Sequence, residues 1–290
     1  MKLVLGTAQF GMEYGAANVY GKPDDDTLCG ILATAIQRGV HTLDTAAGYG
    51  ESEQRIGAHA EQGFDIVTKL PNMSIFLDDV GKAVTEAIEA ACARLNVQRL
   101  HGLLLHRADN LVSAAGPAIW AAMSRAQADG RVTKIGYSVY DPTELDRLVP
   151  DYPPGLVQLP FNGFDQRFAV SGWTRRLREA GCEVHARSIF LQGVLLQDAV
   201  SRAAYFDHWR DAFCRFDGAV RAAGCSAGQF SFSLAKSDGH IDGLVCGVDS
   251  ASQLSQLCDW FDSATPLSTL PDLIVSDARL ILPQNWQLGS

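Results

Sequence analysis

The chain has 290 residues and a formal net charge of −9, with 47% hydrophobic and 20% charged residues. This apolar content is enough for a sizeable core and excludes a largely disordered chain. The acidic balance argues against nucleic acid or an anionic membrane as the main partner, because both bind basic surfaces.

Nothing in the sequence indicates export or membrane insertion. No apolar run approaches the roughly 20 residues of a membrane-spanning helix, and the apolar stretch at the start, MKLVL, is too short for a secretory signal. The seven cysteines form no C-x-x-C pair, so we expect a cytoplasmic protein with reduced thiols. The histidines show no metal-ligand spacing, and we expect no metal site.

Eight short apolar runs typical of buried strands recur along the chain. They are Leu3–Leu5, Thr42–Asp44, Ile66–Lys69, Gly102–His106, Val132–Ser138, Leu156–Leu159, Val184–Ser188 and Gly243–Cys246. Residues with helical spacing separate them. This alternation predicts an α/β fold, a closed (β/α)8 TIM barrel forming a single domain over residues 1–290. A doubly wound open sheet is less favoured, because no G-x-G-x-x-G motif follows the first run.

Consecutive predicted strands end in polar residues of complementary chemistry. Asp44 ends the second strand, Lys69 the third and His106 the fourth, and Tyr49 lies in the loop after Asp44. In a barrel the carboxyl ends of all strands meet at one rim, which is where active sites form. We therefore expect these four side chains to converge as a catalytic group.

The four side chains suit proton transfer to a carbonyl oxygen. A tyrosine phenol has a reference pKa of about 10, and we expect Lys69, held by Asp44, to lower the pKa of Tyr49. His106 would donate a hydrogen bond to the oxygen that Tyr49 protonates. None of these groups can supply a hydride, so the arrangement implies a reduced nicotinamide cofactor.

These residues lie in motifs that resemble the aldo-keto reductase family. DTAAGYGESEQRIG, at Asp44–Gly57, resembles the family signature, and Val67–Lys69 and Leu103–His106 are similar to its lysine and histidine segments. Further matches are Gly136–Ser138, Val157–Asn162 and Ser188–Gly193. The resemblance implies an oxidoreductase acting on CH–OH groups, which reduces an aldehyde or ketone with NAD(P)H. Tyr49 would be the general acid.

The same resemblance implies a set of cofactor-binding residues. They are Gly6, Thr7 and Asp44, Ser138 and Gln158 at the nicotinamide carboxamide, Ser188, Leu191 and Gly193 at the pyrophosphate, and Gly247, Asp249, Ser250 and Gln253 after the eighth strand. Arg187 is a further predicted cofactor-binding residue, standing where the family usually has an aromatic residue stacked on the nicotinamide. We expect Arg187 either to turn toward a carboxylate or phosphate, or to favour the reduced cofactor.

The cofactor is expected to be NADP(H) or NAD(H). Many family members hold the 2′-phosphate of NADPH with Lys or Arg after the eighth strand, but no Lys or Arg lies between Ser237 and Ala278. Asp249 would repel a phosphate there. We therefore expect weak selectivity for the 2′-phosphate.

The expected partner is a small-molecule carbonyl compound, including sugar-like ones, and the chain is expected to be a monomer or weak homo-oligomer. Predicted substrate-binding residues are Phe10, Tyr14, Tyr49, His106 and Arg107. Arg107 and Arg187 could bind an anionic substrate group or pair with carboxylates at the rim. Two alternatives stay open: a cofactor-binding regulatory subunit or redox sensor of the same fold, and a sugar epimerase or dehydratase using bound cofactor.

One further motif has a structural explanation. The segment Gly224–Gly228 matches G-x-S-x-G, which in hydrolases joins a strand to a helix. Here the preceding residues have helical spacing, so we expect Gly224 to end one helix and Ser226 to cap the next.

Overall fold

The protein, described here from a computed structural model, is built around a closed barrel of eight parallel strands. The described residues are 1–16, 18, 21–60, 63–73 and 79–288. The strands are β1 Lys2–Gly6, β2 Thr42–Asp44, β3 Asp65–Leu70, β4 Leu100–Leu105, β5 Val132–Ser138, β6 Leu156–Pro160, β7 Glu183–Arg187 and β8 Gly243–Gly247. They follow one another around the barrel in chain order, and β8 pairs with β1. The predicted (β/α)8 barrel is confirmed.

Helices separate the strands and cover the outside of the barrel. They are α1 Ala8–Gly11, α2 Asp25–Gln37, α3 Ser52–His59, α4 Val80–Leu95, α5 Gly116–Ala128, α6 Pro142–Leu148, α7 Arg167–Val170, α8 Trp173–Glu179, α9 Arg210–Ala223, α10 Ala227–Asp238, α11 Ala251–Ser263 and α12 Ala278–Ile281. Short 3₁₀ turns span Ala108–Val112, Val194–Leu196, Ala204–Trp209 and Pro283–Asn285. Helix α2 begins where the Asp24 carboxylate accepts the Thr27 amide at 2.8 Å, as an N-cap does.

The barrel interior changes from apolar to polar along the strands. Val67, Leu104 and Leu156 form a small buried cluster inside it. Lys69 follows Val67 by two residues, so it faces the same interior space nearer the carboxyl end. At the amino-terminal mouth, the Glu183 carboxylate contacts Lys134 Nζ at 2.7 Å and His185 Nε2 at 2.8 Å. The apolar layer therefore separates this cluster from the carboxyl-end site.

A second hydrophobic cluster lies against the loops at the carboxyl ends of β6 and β7. It contains Phe164 after β6, Phe206 and the segment after α11. The Val275 amide donates to the Phe164 carbonyl at 3.0 Å, and the rings of Trp286 and Phe206 are 4.9 Å apart. The end of the chain is thus packed on the rim loops. The single domain over residues 1–290 remains a prediction.

The G-x-S-x-G segment connects two helices, as predicted. Gly224 ends α9 with a left-handed φ of 65°, a conformation that suits glycine. The Ser226 hydroxyl accepts the Gln229 amide at 3.2 Å at the start of α10. A helix and not a strand precedes the motif, as expected.

Across the described ranges, no helix is both long enough and apolar enough to cross a membrane.

Candidate active site

The centre of the carboxyl-end rim is a buried ion pair between Lys69 and Asp44. Lys69 Nζ donates to Asp44 Oδ1 at 2.6 Å and to the Thr45 carbonyl at 3.0 Å. The other carboxylate oxygen accepts Gln158 Nε2 at 2.7 Å. Both Lys69 and Asp44 are only 2% exposed. Each charge therefore depends on the other, because an unpaired charge at this depth is very costly.

The backbone of Asp44 is held by residues that the sequence reasoning had not explained. The Thr7 amide and hydroxyl both donate to the Asp44 carbonyl, at 2.9 and 3.0 Å. Ser52 Oγ donates to the Thr7 carbonyl at 2.8 Å, and the buried Glu53 accepts Thr68 Oγ1 at 2.6 Å. The Ser-Glu pair of the motif thus ties α3 to β1 and β3. The signal for this role was the SE pair within DTAAGYGESE, the segment that resembles the family signature.

Tyr49 and His106 stand over this ion pair. Lys69 Nζ lies 5.1 Å from the centre of the Tyr49 ring, and the His106 ring meets that ring edge-on at 5.6 Å. The Tyr49 hydroxyl makes no hydrogen bond to any residue that the structure describes. The structure therefore brings together all four predicted catalytic side chains and leaves the phenol free to donate to a ligand.

The expected lowering of the Tyr49 pKa is wrong. Burial raises the pKa of Tyr49 above its usual value, and the negative charge of Asp44 raises it further. Arg187 acts in the opposite direction but does not prevail. The physical reason is that Asp44 neutralises Lys69 at 2.6 Å, so desolvation of the phenolate dominates. A protonated phenol at neutral pH suits a proton donor.

His106 follows β4 directly and is neutral at physiological pH. Burial lowers the pKa of His106 to about 4, and the positive charge of Lys69 acts in the same direction. A neutral imidazole has one N–H donor. His106 can therefore donate to a carbonyl oxygen without competing for the proton of Tyr49.

Two buried polar residues beside Asp44 fit a carboxamide. Ser138 and Gln158 are neighbours in the register of β5 and β6, and each is 1% exposed. The amide nitrogen of Gln158 is engaged by Asp44, which leaves its oxygen as an acceptor. In the described part of the chain, the Ser138 hydroxyl has no hydrogen bond. A free hydroxyl next to a free amide oxygen matches the donors and acceptor of a nicotinamide carboxamide.

The segment after β7 is strained. Ser188, Leu191 and Gln192 have left-handed φ values of 63°, 49° and 52°, which cost about 1–3 kcal/mol each in a non-glycine residue and cluster at functional sites. The Leu191 amide donates to the Ser188 carbonyl and the Gly193 amide to the Phe190 carbonyl, each at 2.9 Å. The amides of two of the three residues predicted at the pyrophosphate, Leu191 and Gly193, are therefore engaged within their own loop.

Two glycines allow the backbones of β1 and β8 to approach closely. Gly6 and Gly247 are paired in register, and a Cβ on Gly6 would lie 3.3 Å from the Gly247 nitrogen. A Cβ on Gly247 would overlap the side chain of Gln9. A side chain at position 6 would therefore require a small shift of its neighbours, and one at position 247 would require the end of the Gln9 side chain to move.

The residues predicted to meet the adenosine end are bonded mainly to one another. Ser250 Oγ accepts the Gln253 amide at 3.2 Å, and Gln253 Oε1 accepts the Asp249 amide at 2.7 Å. Asn18 Nδ2 lies 3.3 Å from Asp249 Oδ1, which connects the loop after β1 with that after β8. Burial raises the pKa of Asp249. Among the described residues, no Lys or Arg pairs with Asp249.

Arg187 turns toward the residues that follow β5, and no carboxylate among the described residues pairs with it; its expected preference for the reduced cofactor stays a prediction. Its guanidinium carbon lies 4.2 Å from the centre of the Tyr140 ring, and Nη2 donates to the Val139 carbonyl at 3.1 Å. Tyr140 was not predicted, although its position two residues beyond β5 was a signal. Arg107 is exposed and contacts Asp109 at 3.3 Å, so it pairs with a rim carboxylate as one expectation had it.

The prediction that Phe10 contacts substrate is wrong. Phe10 is 0% exposed and belongs to the core between barrel and helices, because the short helix α1 turns it inward. Its carbonyl accepts Arg55 Nη1 at 2.6 Å, which fixes this position. Tyr14 is 42% exposed, and its predicted contact with substrate stays a prediction.

The fold and this rim together define a (β/α)8 barrel with a candidate active site at the carboxyl ends of its strands. The family model described as "Aldo/keto reductase family" matches residues 2–269. The chain belongs to the aldo/keto reductase family, and the resemblance seen in its motifs is confirmed.

Individual relatives share limited sequence identity with this chain. A mycobacterial "Aldo-keto reductase" (Mycobacterium sp. strain KMS) is 34% identical over 139 residues, which cover 45% of this chain and 47% of the relative. The match thus spans about half the length of that protein. The "Uncharacterized oxidoreductase YtbE" of Bacillus subtilis is 24% identical over 65% of this chain and 68% of its own.

Solved structures share the fold. The "aldo-keto reductase AKR11C1 from Bacillus halodurans (holo form)" has a TM-score of 0.75 at 17% identity, covering 92% of this chain and 88% of the other. The "glycerol dehydrogenase AKR11B4 from Gluconobacter oxydans" has a TM-score of 0.71 at 22% identity, covering 92% and 87%. At these identities the similarity concerns the fold alone.

Proposed function

We propose that this protein reduces the carbonyl group of a small aldehyde or ketone, including sugar-like ones, with NAD(P)H. The observation that carries the proposal is the convergence of Tyr49, His106 and the Lys69–Asp44 pair on one point of the rim. Such a set combines a proton donor, a neutral hydrogen-bond donor and a fixed cation. That combination suits charge developing on a single oxygen.

In the proposed reaction the carbonyl oxygen accepts hydrogen bonds from the Tyr49 hydroxyl and the neutral His106 ring. A bound reduced nicotinamide supplies the hydride to the carbonyl carbon. Tyr49 gives its proton to the oxygen as negative charge develops there, and the product is the alcohol. Lys69, 5.1 Å from the ring centre, stabilises the phenolate that remains until solvent returns a proton.

The proposed cofactor-binding residues follow the polar side of the barrel mouth. Ser138 and Gln158 would hold the carboxamide, and the strained segment after β7 would meet the pyrophosphate together with Gly6, Thr7 and Gly247. Leu191 and Gly193 would act only through their amides, after exchanging the bonds they make within their loop. Strain at Ser188 and Gln192 supports this, because such strain is kept where function requires it.

The substrate class is proposed from the same rim. One structural neighbour carries the name glycerol dehydrogenase, which is compatible with a small hydroxylated carbonyl compound.

We also propose that the protein is a monomer or weak oligomer. All seven cysteines are free, which supports the proposal that it acts in the cytoplasm. A titration with NADH and NADPH, followed by a panel of aldehydes, aldoses and ketoses, tests the function. Absence of cofactor binding by both fluorescence and calorimetry would contradict it.

The pH dependence of the reaction should be flat across the neutral range. His106, with a pKa of about 4, stays neutral above about pH 5, and the raised pKa of Tyr49 keeps the phenol protonated up to about pH 9. We expect kcat/KM for carbonyl reduction to change less than about threefold between these limits. A bell-shaped profile with an ionisation near pH 7 would show that one of the two protonation states is wrong.

Selectivity between the two cofactors should be weak. Asp249 pairs with no described Lys or Arg, and none lies between Ser237 and Ala278 in the sequence, which predicts dissociation constants for NADPH and NADH within about tenfold. Asp249→Lys should shift the ratio toward NADPH by at least about tenfold. Asp129→Lys, the same charge change before β5 at the opposite end of the barrel, should leave the ratio unchanged. NADPH bound a hundredfold tighter by the wild type would refute weak selectivity.

A further inference from the structure

Arg187 faces the carboxyl mouth of the barrel. In the register of β6 and β7, Gln158 pairs with His185 and Pro160 with Arg187. Gln158 points inside, since it donates to Asp44, and His185 is fully buried. Side chains two residues apart along a strand share a face. Arg187 is therefore the next inward-facing residue of β7, at the level of the site.

The Arg187 guanidinium is held in a fixed plane. It stacks 4.2 Å over the Tyr140 ring, and Nη2 donates to the Val139 carbonyl at 3.1 Å. Both partners follow β5, so the side chain reaches across β6 and away from β8. A guanidinium has five N–H donors, and this one contact engages a single nitrogen. The other nitrogens have no hydrogen-bond partner among the described residues and remain for a ligand.

Arg187 also differs from the other half-buried arginines because no carboxylate among the described residues pairs with it. In the described part of the chain, Arg38, Arg55, Arg94, Arg131, Arg167 and Arg202 each pair with Asp or Glu. No described carboxylate does so for Arg187. The acidic residues that follow Tyr140 in the chain are engaged elsewhere, Asp141 by Arg167 and Glu144 by the Tyr140 amide.

The unpaired charge lies close to the proposed reacting groups. Burial is the largest influence on the pKa values of Tyr49 and His106. The positive charge of Arg187 is a smaller influence, and it lowers both pKa values. Because the charges of Lys69 and Asp44 cancel each other, the charge of Arg187 makes this part of the rim positive. A partly desolvated guanidinium with a fixed plane is the group that best recognises a carboxylate.

We propose that Arg187 binds a carboxylate of the substrate, so that the preferred substrates are carbonyl compounds carrying an acid group, such as aldehydo acids or keto acids. This inference rests on the proposed function and narrows its substrate class. The side chain lies toward β5, while the segment proposed for the pyrophosphate follows β7 and Asp249 follows β8. A carboxylate beside the carbonyl therefore fits its direction better than a cofactor phosphate.

The test compares succinic semialdehyde with butanal, which have the same chain length but differ in the terminal carboxylate. The wild type should prefer the acid. Arg187→Gln should lower kcat/KM for the acid about 100-fold more than for butanal, as expected for a lost charged hydrogen-bonded pair. Arg187→Lys should recover part of the preference, because it restores the charge. Arg147→Gln, an exposed arginine on α6, is the matched control and should keep the wild-type preference.

A binding measurement separates this inference from the proposed function. Succinate, which carries no reducible carbonyl, should bind the protein–NAD⁺ or protein–NADP⁺ complex by calorimetry, and Arg187→Gln should abolish that binding. Succinate binding that depends on Arg187 in a protein without reductase activity would support the inference and contradict the proposed function. Reduction of both aldehydes with equal kcat/KM would support the proposed function and contradict the inference. If Arg187→Gln weakens cofactor binding by the same factor, the ligand is a cofactor phosphate and the inference is wrong.

Discussion

Tyr49→Phe should lower kcat for carbonyl reduction by about three orders of magnitude, because it removes the proton that the product oxygen requires. Cofactor affinity should change by less than about twofold, since the ring and its contacts with Lys69 and His106 remain. The free energy of unfolding should also be preserved. The Tyr49 hydroxyl has no hydrogen-bond partner among the described residues, so its loss leaves no partner unsatisfied. Steady-state kinetics, cofactor titration and urea denaturation check these results.

Tyr137→Phe is the matched control and should behave in the opposite way. The Tyr137 hydroxyl donates to the Tyr152 carbonyl at 3.2 Å, and its ring packs against Trp120 of α5, on the face of β5 opposite to Ser138. Removing it should cost about 1 kcal/mol of stability and leave turnover unchanged. If Tyr49→Phe keeps a tenth or more of the wild-type turnover, Tyr49 is not the general acid.

Lys69→Met should inactivate the enzyme and also destabilise it by about 3–5 kcal/mol, because it leaves the Asp44 carboxylate buried without a cation. Both side chains are almost inaccessible, with exposed fractions of 1% and 3%. Urea denaturation measures the stability and kinetics the activity. Lys82→Met, at an exposed pair with Glu86 separated by 3.7 Å, should change stability by less than about 1 kcal/mol.

The double variant Asp44→Asn/Lys69→Met distinguishes stability from catalysis at this pair. Replacing both charges removes the uncompensated carboxylate, so most of the lost stability should return. Activity should not return, since no cation then stabilises the Tyr49 phenolate. A double variant no more stable than Lys69→Met would show that packing, and not charge pairing, makes Lys69 important for folding.

Much of the site could be predicted because it depends on local periodicity and strand direction. Asp44, Lys69 and His106 end or directly follow consecutive apolar runs, and parallel strands must bring such positions to one rim. The motif around Tyr49 added its place in the intervening loop. What remained hidden were residues acting through long-range contacts: Ser52, which holds the loop after β1, and Tyr140, which supports Arg187.

The amino-acid sequence by itself determined the barrel, the order of its strands and the set of chemical groups at one mouth, because alternating strand and helix periods leave few topologies. Only the tertiary structure decided the protonation of Tyr49, the burial of Phe10 and the direction of Arg187. Each of these depends on desolvation and on charges from segments far apart in the chain. Those quantities arise only when the strands close around a common interior.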